Sequence, residues 1–443
     1  MSIYSYESAF GALDQTSKAM RKAIDKWFDL YYGKVGEELD PSQRIAYTVV
    51  TKVVRTVFGE YKATAKDPVA GQVLQSLDRV AKEAVQLALI GGECYIKPCI
   101  GENGFRFALI PRNNLLVFQR DFWGVPTDVG TVEKKKGERC YYTLLERRKL
   151  DDSGYLTIEN RLFKSYNGEN LGTEVSLSEV EAYKDLPQRF TYPLPTYSVG
   201  LVQVKTPMFN CVDGGKEGVS FYGAAAELIA AIDENEAQLR GEFRRGQSRI
   251  LASRDLLRDG ALQDDLFVGL DDAPEEVGIT IFAPQLREGA YLARKQEYLR
   301  NVESILGLRR GMLSDANAQD RTATEIASSA AEYNLTVMDF QQMWQESLEK
   351  TLALCKVLAE LYQLPSIGEL AFNIDWGNGV LYDEEQTWAA YEQMVIKGML
   401  KPEVALGWRF NLPWETEEQR AYIRKTYMPD STFAEGEHIA YSK

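Results

Sequence analysis

One group of carboxylates, Asp375, Asp383, Glu384 and Glu385, is set beside Trp376 and Trp388. Two carboxyl groups about 5–9 Å apart can divide acid, base and nucleophile duties in glycoside hydrolysis. No spacing here fixes two of them at such a distance, and clusters of this kind are more often solvated helix starts. Other catalytic chemistries are narrowed by what is missing. The single histidine, His438, lies near the C-terminal end, so Ser-His-Asp catalysis, HExxH zinc sites and most imidazole proton relays would require that tail to fold back. No GxxxxGK[ST] run occurs, and Gly214-Gly215-Lys216-Glu217-Gly218 reads as a flexible linker rather than a phosphate loop. The Asp151-Asp152-Ser153-Gly154 run lacks calcium-loop spacing and reads as a β-turn. The expectation is a protein without catalytic residues, metal or cofactor of its own.

Composition points the same way. A chain of 443 residues, 45% hydrophobic and 26% charged, has ordinary globular usage and can bury a large core. No apolar run approaches the ~20 residues that cross a bilayer, and Met1-Ser2-Ile3-Tyr4-Ser5-Tyr6 does not read as a signal peptide. Five scattered cysteines without CxxC spacing suggest reduced thiols in a cytoplasm. A net charge of −14 argues against gripping duplex DNA over the whole surface. It suits a protein that surrounds DNA without sticking to it.

The elements that must position any site follow from periodicity. Residues 322–362 carry an apolar stride from Ile326 through Tyr333, Val337, Phe340, Trp344, Leu348, Leu352, Cys355 and Leu358 to Tyr362. Thr322 and Glu325 have capping-box spacing, and Pro365 closes the run. Such a helix is about 60 Å long and acts as a spine. Residues 7–60 read as helical, broken at Gly33 and restarting near Pro41, with Arg44, Lys52, Arg55 and Lys62 basic. Those four read first as a solvated face, and second as a contact with nucleic acid or a neighbouring subunit. Another helix is expected over 69–89. Short β-like runs then appear at 94–98, 105–110, 141–145 and 155–158. The middle of the chain reads as a helix ending at Gly246, a small unit with strands at 249–252 and 279–282, a helix over 287–306, and a polar loop before the spine. The two helices are expected to pair antiparallel with the small unit at their far end. A strand over 370–376 and helical patterns at 383–397, 402–408 and 415–427 complete an α+β chain, mainly helical.

This order of elements resembles the portal proteins of long-tailed (siphophage-type) bacteriophages. The motifs that carry it are Gly218-Val219-Ser220-Phe221-Tyr222, the run from Ile232-Asp233-Glu234-Asn235-Glu236 to Glu242-Phe243-Arg244, and Gly307-Leu308. The strongest is Arg321-Thr322-Ala323-Thr324-Glu325-Ile326, similar to the family's T-A-T-E signature. Asn373-Ile374-Asp375-Trp376-Gly377, Asp383-Glu384-Glu385 and the Gly398-Met399-Leu400 turn resemble its C-terminal part. The likeness covers 210–425 well and the first 200 residues by texture only.

The resemblance implies a wing/stem/clip/crown architecture. Residues 1–215, β-rich over 92–205, would form the wing together with the long helix 322–365. Segments 216–246 and 287–306 would be the stem, 247–286 the clip, 307–321 the tunnel loop and 366–443 a short crown. It implies a homo-oligomeric ring, usually of twelve, at the capsid vertex of a virion whose subunits are made in the host bacterial cytoplasm. Such a ring nucleates head assembly with capsid and scaffolding proteins, docks the terminase motor, passes double-stranded DNA non-specifically, and later holds the head-tail connector or adaptor. No membrane, cofactor or metal is implied. Candidate phosphate contacts are Arg309, Arg310, Asn317, Gln319 and Arg321 in the tunnel loop. On the stem they are Arg240, Arg244, Arg245, Arg294 and Lys295, for which intersubunit or i,i+4 pairing is the competing reading. Asp264, Asp265, Asp271 and Asp272 in the clip are expected to meet a basic partner surface. The alternatives are another virion structural protein, such as a connector or minor head protein, and a carboxylate-dependent hydrolase.

Overall fold

Caps and glycines cut the N-terminal apolar pattern into separate helices. α1 (Glu7–Phe10) stops at Gly11, which takes a left-handed conformation. α2 (Lys18–Tyr32) starts where the Ser17 hydroxyl accepts from Met20 N–H, and ends at Gly33. α3 (Ile45–Val57) begins after a left-handed Arg44, later than the Pro41 start suggested by sequence. The computed structural model describes residues 6–33, 40–101, 104–246, 249–253, 267–270, 280–282, 285–315, 323–377, 384–410 and 412–428. Only the backbone is described for 249–253, 267–270, 280–282, 323–330 and 384–387. The chain divides into two units, Met1–Asp375 and Trp376–Lys443. It is mixed α+β, with helix (47%) outweighing strand (21%).

After α3 come β1 (Lys62–Ala65) and α4 (Pro68–Gly91), whose first N–H groups are capped by Asp67. β2 (Glu93–Gly101), β3 (Gly104–Pro111), β4 (Leu115–Arg120), β5 (Pro126–Lys136), β6 (Tyr141–Leu150), β7 (Leu156–Ser165), β8 (Thr173–Val175), β9 (Arg189–Thr191) and β10 (Val202–Lys205) follow. β4-β5-β6-β7-β8 form one antiparallel sheet with β9 also on β7, and β10-β2-β3 form another. The Asp151 turn joins β6 to β7, its carboxylate accepting from Ser153 and Tyr155 N–H. Phe10 packs with Leu116, Phe118, Val132, Leu145 and Phe163 to cover one sheet face.

α5 (Ala226–Arg245), β11 (Arg249–Ser253), β12 (Phe267–Leu270), β13 (Thr280–Phe282) and α6 (Glu288–Ile305) precede α7 (Ala323–Leu361), the 39-residue spine. Its stripe from Tyr333 to Leu358 is buried, whereas Tyr362, just past its end, is 48% exposed. Trp344 meets Phe58 edge-on at 5.9 Å and donates to Tyr61 OH, and Phe340 meets Phe221 edge-on at 5.3 Å. β14 (Phe372–Asp375) then pairs antiparallel with β1, so the chain returns to its own beginning. In the second unit, α8 (Glu384–Ile396), α9 (Pro402–Arg409) and α10 (Glu417–Tyr427) are joined by Tyr391 on Trp408 and by Arg424 on Glu403. A Thr416–Gln419 capping box starts α10. Among the described residues no helix is long and apolar enough to cross a membrane.

A buried charge network replaces the flexible linker expected at 214–218. The Glu217 carboxylate accepts from Arg112 (2.8 Å), Arg120 (3.0 Å) and the Thr16 hydroxyl (2.9 Å). Gly218 N–H donates to Glu93 at 2.6 Å. Arg21 joins from α2, 2.6 Å from Asp14. Burial first, then the like charge of Arg112, bring the Arg21 guanidinium down to about 10, against the pull of Asp14. The backbones of Gly92 and Gly218 touch here: a Cβ on Gly218 would lie 2.2 Å from the Gly92 carbonyl, so neither position tolerates a side chain. The Gly218-Val219-Ser220-Phe221-Tyr222 motif thus docks α5 onto α4, with Ser220 and Phe221 both donating to the Leu89 carbonyl.

A second buried cluster sets an acid limit. Burial pushes the Glu146 carboxyl up, but Arg148 (2.7 Å) and Lys97 (2.6 Å) outweigh it and hold it at about 2. Its folded value is below its unfolded one, so its stabilisation is present above about pH 4.5 and is lost as pH falls toward 2. Glu146→Gln should flatten acid unfolding between those limits by on the order of 3 kcal/mol. Parallel acid titrations of wild type and variant, followed by circular dichroism, check this; identical curves would count against it.

Candidate nucleic-acid interface

α5 and α6 pair antiparallel, as expected from their patterns. Asn235 donates to the Tyr291 carbonyl, Lys295 reaches Glu236 at 3.4 Å, and Arg287 clasps Glu242 at 3.1 Å. At the base the pair is anchored by buried Ile229, Ile232, Leu299 and Val302. Beyond that it changes character: no residue of 236–246 or of 285–298 is buried. Phe243 (43%) and Leu292 (47%) remain exposed on this arm. Its end carries β12-β11-β13, with β12 parallel and β13 antiparallel to β11. The sequence suggested two strands there; the third, Phe267–Leu270, lies inside the acidic stretch. Asp264, Asp265, Asp271 and Asp272 lie outside the described residues, as do Asn317, Gln319, Arg321 and Thr322.

The stem cations mostly have partners within the subunit. Arg240 pairs with Glu236 at 3.7 Å, one turn away, and donates to the Asp40 carbonyl. Lys295 is shared between Gln43 and Glu236. Arg294 lies over the Tyr298 ring at 5.2 Å. Arg245 caps the Gly241 carbonyl, and both Arg244 and Arg245 are exposed in the last turn of α5. Arg294 also donates to the Tyr298 hydroxyl at 2.8 Å, so Arg244 and Arg245 are the arm cations that the described residues tie down least. Of the basic N-terminal set, Lys52 donates to the Met312 carbonyl, Arg44 to the Tyr32 carbonyl, and Arg55 is exposed.

The loop after α6 turns at Gly307 (φ +59°) and Gly311 (φ +86°). Arg309 lies over the Tyr333 ring at 5.6 Å and reaches Asn334, so it is held against the spine; Arg310 is exposed. This loop folds over Glu303 of α6, a fully buried carboxylate that accepts four hydrogen bonds from Gly311, Leu313 and Ser314. Sequence reasoning passed over it. The available signal was a glutamate on the apolar stripe formed by Leu299, Val302 and Leu306.

The carboxylate cluster is divided between the two units. Asp375 ends β14 opposite Lys62, Glu384 and Glu385 open α8, and Asp383 is outside the described residues. Among the described residues no group of three or more His, Cys, Asp or Glu is placed to hold a metal ion. No protein-family model matches the chain, and no curated protein matches it.

Proposed function

We propose that this chain is the subunit of a ring that encloses a DNA channel, a portal protein of a tailed bacteriophage. The observation that carries the reading is the two-helix arm. Among the described residues Phe243 and Leu292 stay exposed on this pair, and isolated helices of this length are marginal in water. Side-by-side copies in a ring supply a further layer: Phe243 and Leu292 of one arm would be covered by the next. In this reading 216–246 and 287–306 are the stem, 247–286 the clip that docks terminase and later the adaptor, 307–321 the tunnel loop and 366–443 a short crown. Residues 1–215 with 322–365 form the wing, facing capsid and scaffolding proteins. Each subunit adds −14 to the ring, which keeps passing DNA from sticking, while a few cations near Arg310 touch phosphates without reading bases. ATP hydrolysis belongs to the motor, and the subunit itself turns over nothing.

Mass photometry of the purified protein is expected to show a species of twelve subunits or a neighbouring number, with an axial hole in negative-stain images. Particles of 50.1 kDa alone, across protein concentrations and salts, would rule the ring out.

A further inference from the structure

Glu303 sits two residues before the end of α6, completely shielded from solvent. One carboxylate oxygen accepts from the backbone N–H of Gly311 (3.0 Å), Leu313 (2.6 Å) and Ser314 (2.9 Å). The other accepts from the Ser314 hydroxyl at 2.8 Å. Successive N–H groups curled around an anion form a nest, and here the chain fills the nest with its own charge. Hydrogen bonds to an ionised acceptor are the strong ones, and a buried carboxylate deprived of them would be costly to keep. Gly307 and Gly311 therefore serve the wrap: their positive φ values let the chain curl back over the carboxylate. The same segment is held from two other sides. Asp315 N–H donates to Gln296 of α6, and Lys52 of α3 donates to the Met312 carbonyl.

We infer that Glu303 is a positioning residue that makes 309–315 a rigid continuation of α6, so that movement of the arm reaches the exposed Arg310 instead of being absorbed at the glycines. Two glycines in a polar loop would by themselves favour the opposite, a segment free to pivot. The consequence for DNA rests on the ring reading; the rigid attachment itself does not. In that reading a partner that shifts the arm would shift the Arg310 cation facing the DNA, through one side chain.

Hydrogen exchange on the assembled full-length protein tests it. The amides of Gly311, Leu313 and Ser314 should be protected in wild type. They should exchange at least tenfold faster in Glu303→Ala and only a few-fold faster in Glu303→Gln, which keeps an acceptor oxygen. Ser314→Ala, which removes one hydroxyl contact, should raise exchange at 314 modestly, and it reads the same clasp should Glu303→Ala fail to fold. Unprotected amides in wild type, or protection unchanged in the folded variants, would overturn the inference. A photo-crosslinker at position 310 supplies the readout that a merely structural role would not move. Its yield with duplex DNA should fall several-fold in the Glu303→Ala background and recover in Glu303→Gln at matched thermal stability. Equal yield in all three backgrounds would also overturn it. Crosslinking absent even in wild type, with the exchange pattern as expected, would sink the channel reading and leave the attachment standing.

Discussion

Replacing Arg112 with Met should destabilise the first unit by about 3–5 kcal/mol, the usual cost of removing one partner from a buried ion cluster. The guanidinium is fully buried and donates to Glu217, to Thr16 Oγ (2.8 Å) and to the Leu115 carbonyl (2.9 Å), with Glu93 at 3.4 Å. Burial disfavours its charge, and Glu93 and then Glu217 more than restore it, so the group stays ionised. Without it those carboxylates stay in the interior facing only Arg120 and Arg21. Against a typical total of about 5–15 kcal/mol such a loss is large, and urea titration should show the midpoint fall well outside error. The charge argument is separable from a packing argument. Adding Glu93→Gln to Arg112→Met removes one charge of each sign, leaving Asp14 and Glu217 against Arg21 and Arg120. The double variant should be more stable than the sum of the singles by at least about 1 kcal/mol. A mild Arg112→Met, or strict additivity, would show that the cluster matters less than its burial suggests.

That cluster marks the limit of what the sequence discloses. Helices reveal themselves locally, because each buries a stripe whose spacing is set by its own geometry. The spine was expected at 322–362 and spans Ala323–Leu361; α4 was expected over 69–89 and spans Pro68–Gly91. The network has no such local signature: Thr16 meets Glu217 across 201 positions, and Arg112 meets Glu217 across 105. Strand pairing fails to show for the same reason. β14 falls within the strand expected over 370–376, but β1 is four residues long and half-exposed, so it does not read as a strand until β14 lies beside it. β5 is buried at nearly every position from Pro126 to Val132 and then exposed through four residues to Lys136, which erases the alternation a strand is recognised by. In the candidate interface, the charges could be counted from sequence but their partners could not. Arg309 was placed with the phosphate contacts on charge and position; the aromatic ring and amide that hold it sit on a different helix. Glu303 shows only as a glutamate on an apolar stripe, and what it binds appears only when the loop is seen to fold over it.

The arm offers the sharpest test of assembly, because its outer apolar residues Phe243 and Leu292 are 43% and 47% exposed within one subunit. Phe243→Asp with Leu292→Asp should leave the folding of the subunit unchanged and abolish the ring. Phe243 follows the last buried residue of α5, Asn235, and Leu292 precedes the first of α6, Leu299, so neither lies in the buried part of its helix. Exposed polar replacements at such positions ordinarily change stability by about ±0.5 kcal/mol or less. In a ring the arithmetic differs. Each heterologous contact repeats around the circle, so one substituted surface is lost at every interface at once. Covering a Phe or Leu contributes about 1.5–3 kcal/mol, and seating an unpaired carboxylate in the same place costs several more. Two such changes per interface should weaken each contact by more than a hundredfold, beyond what closure can recover. Size-exclusion chromatography with light scattering should therefore report a folded 50.1 kDa subunit with the wild-type melting temperature. Intact rings from the double variant would place the subunit contacts elsewhere and remove the arm from the assembly. A collapse in melting temperature would instead mean that the arm is buried within its own subunit in solution.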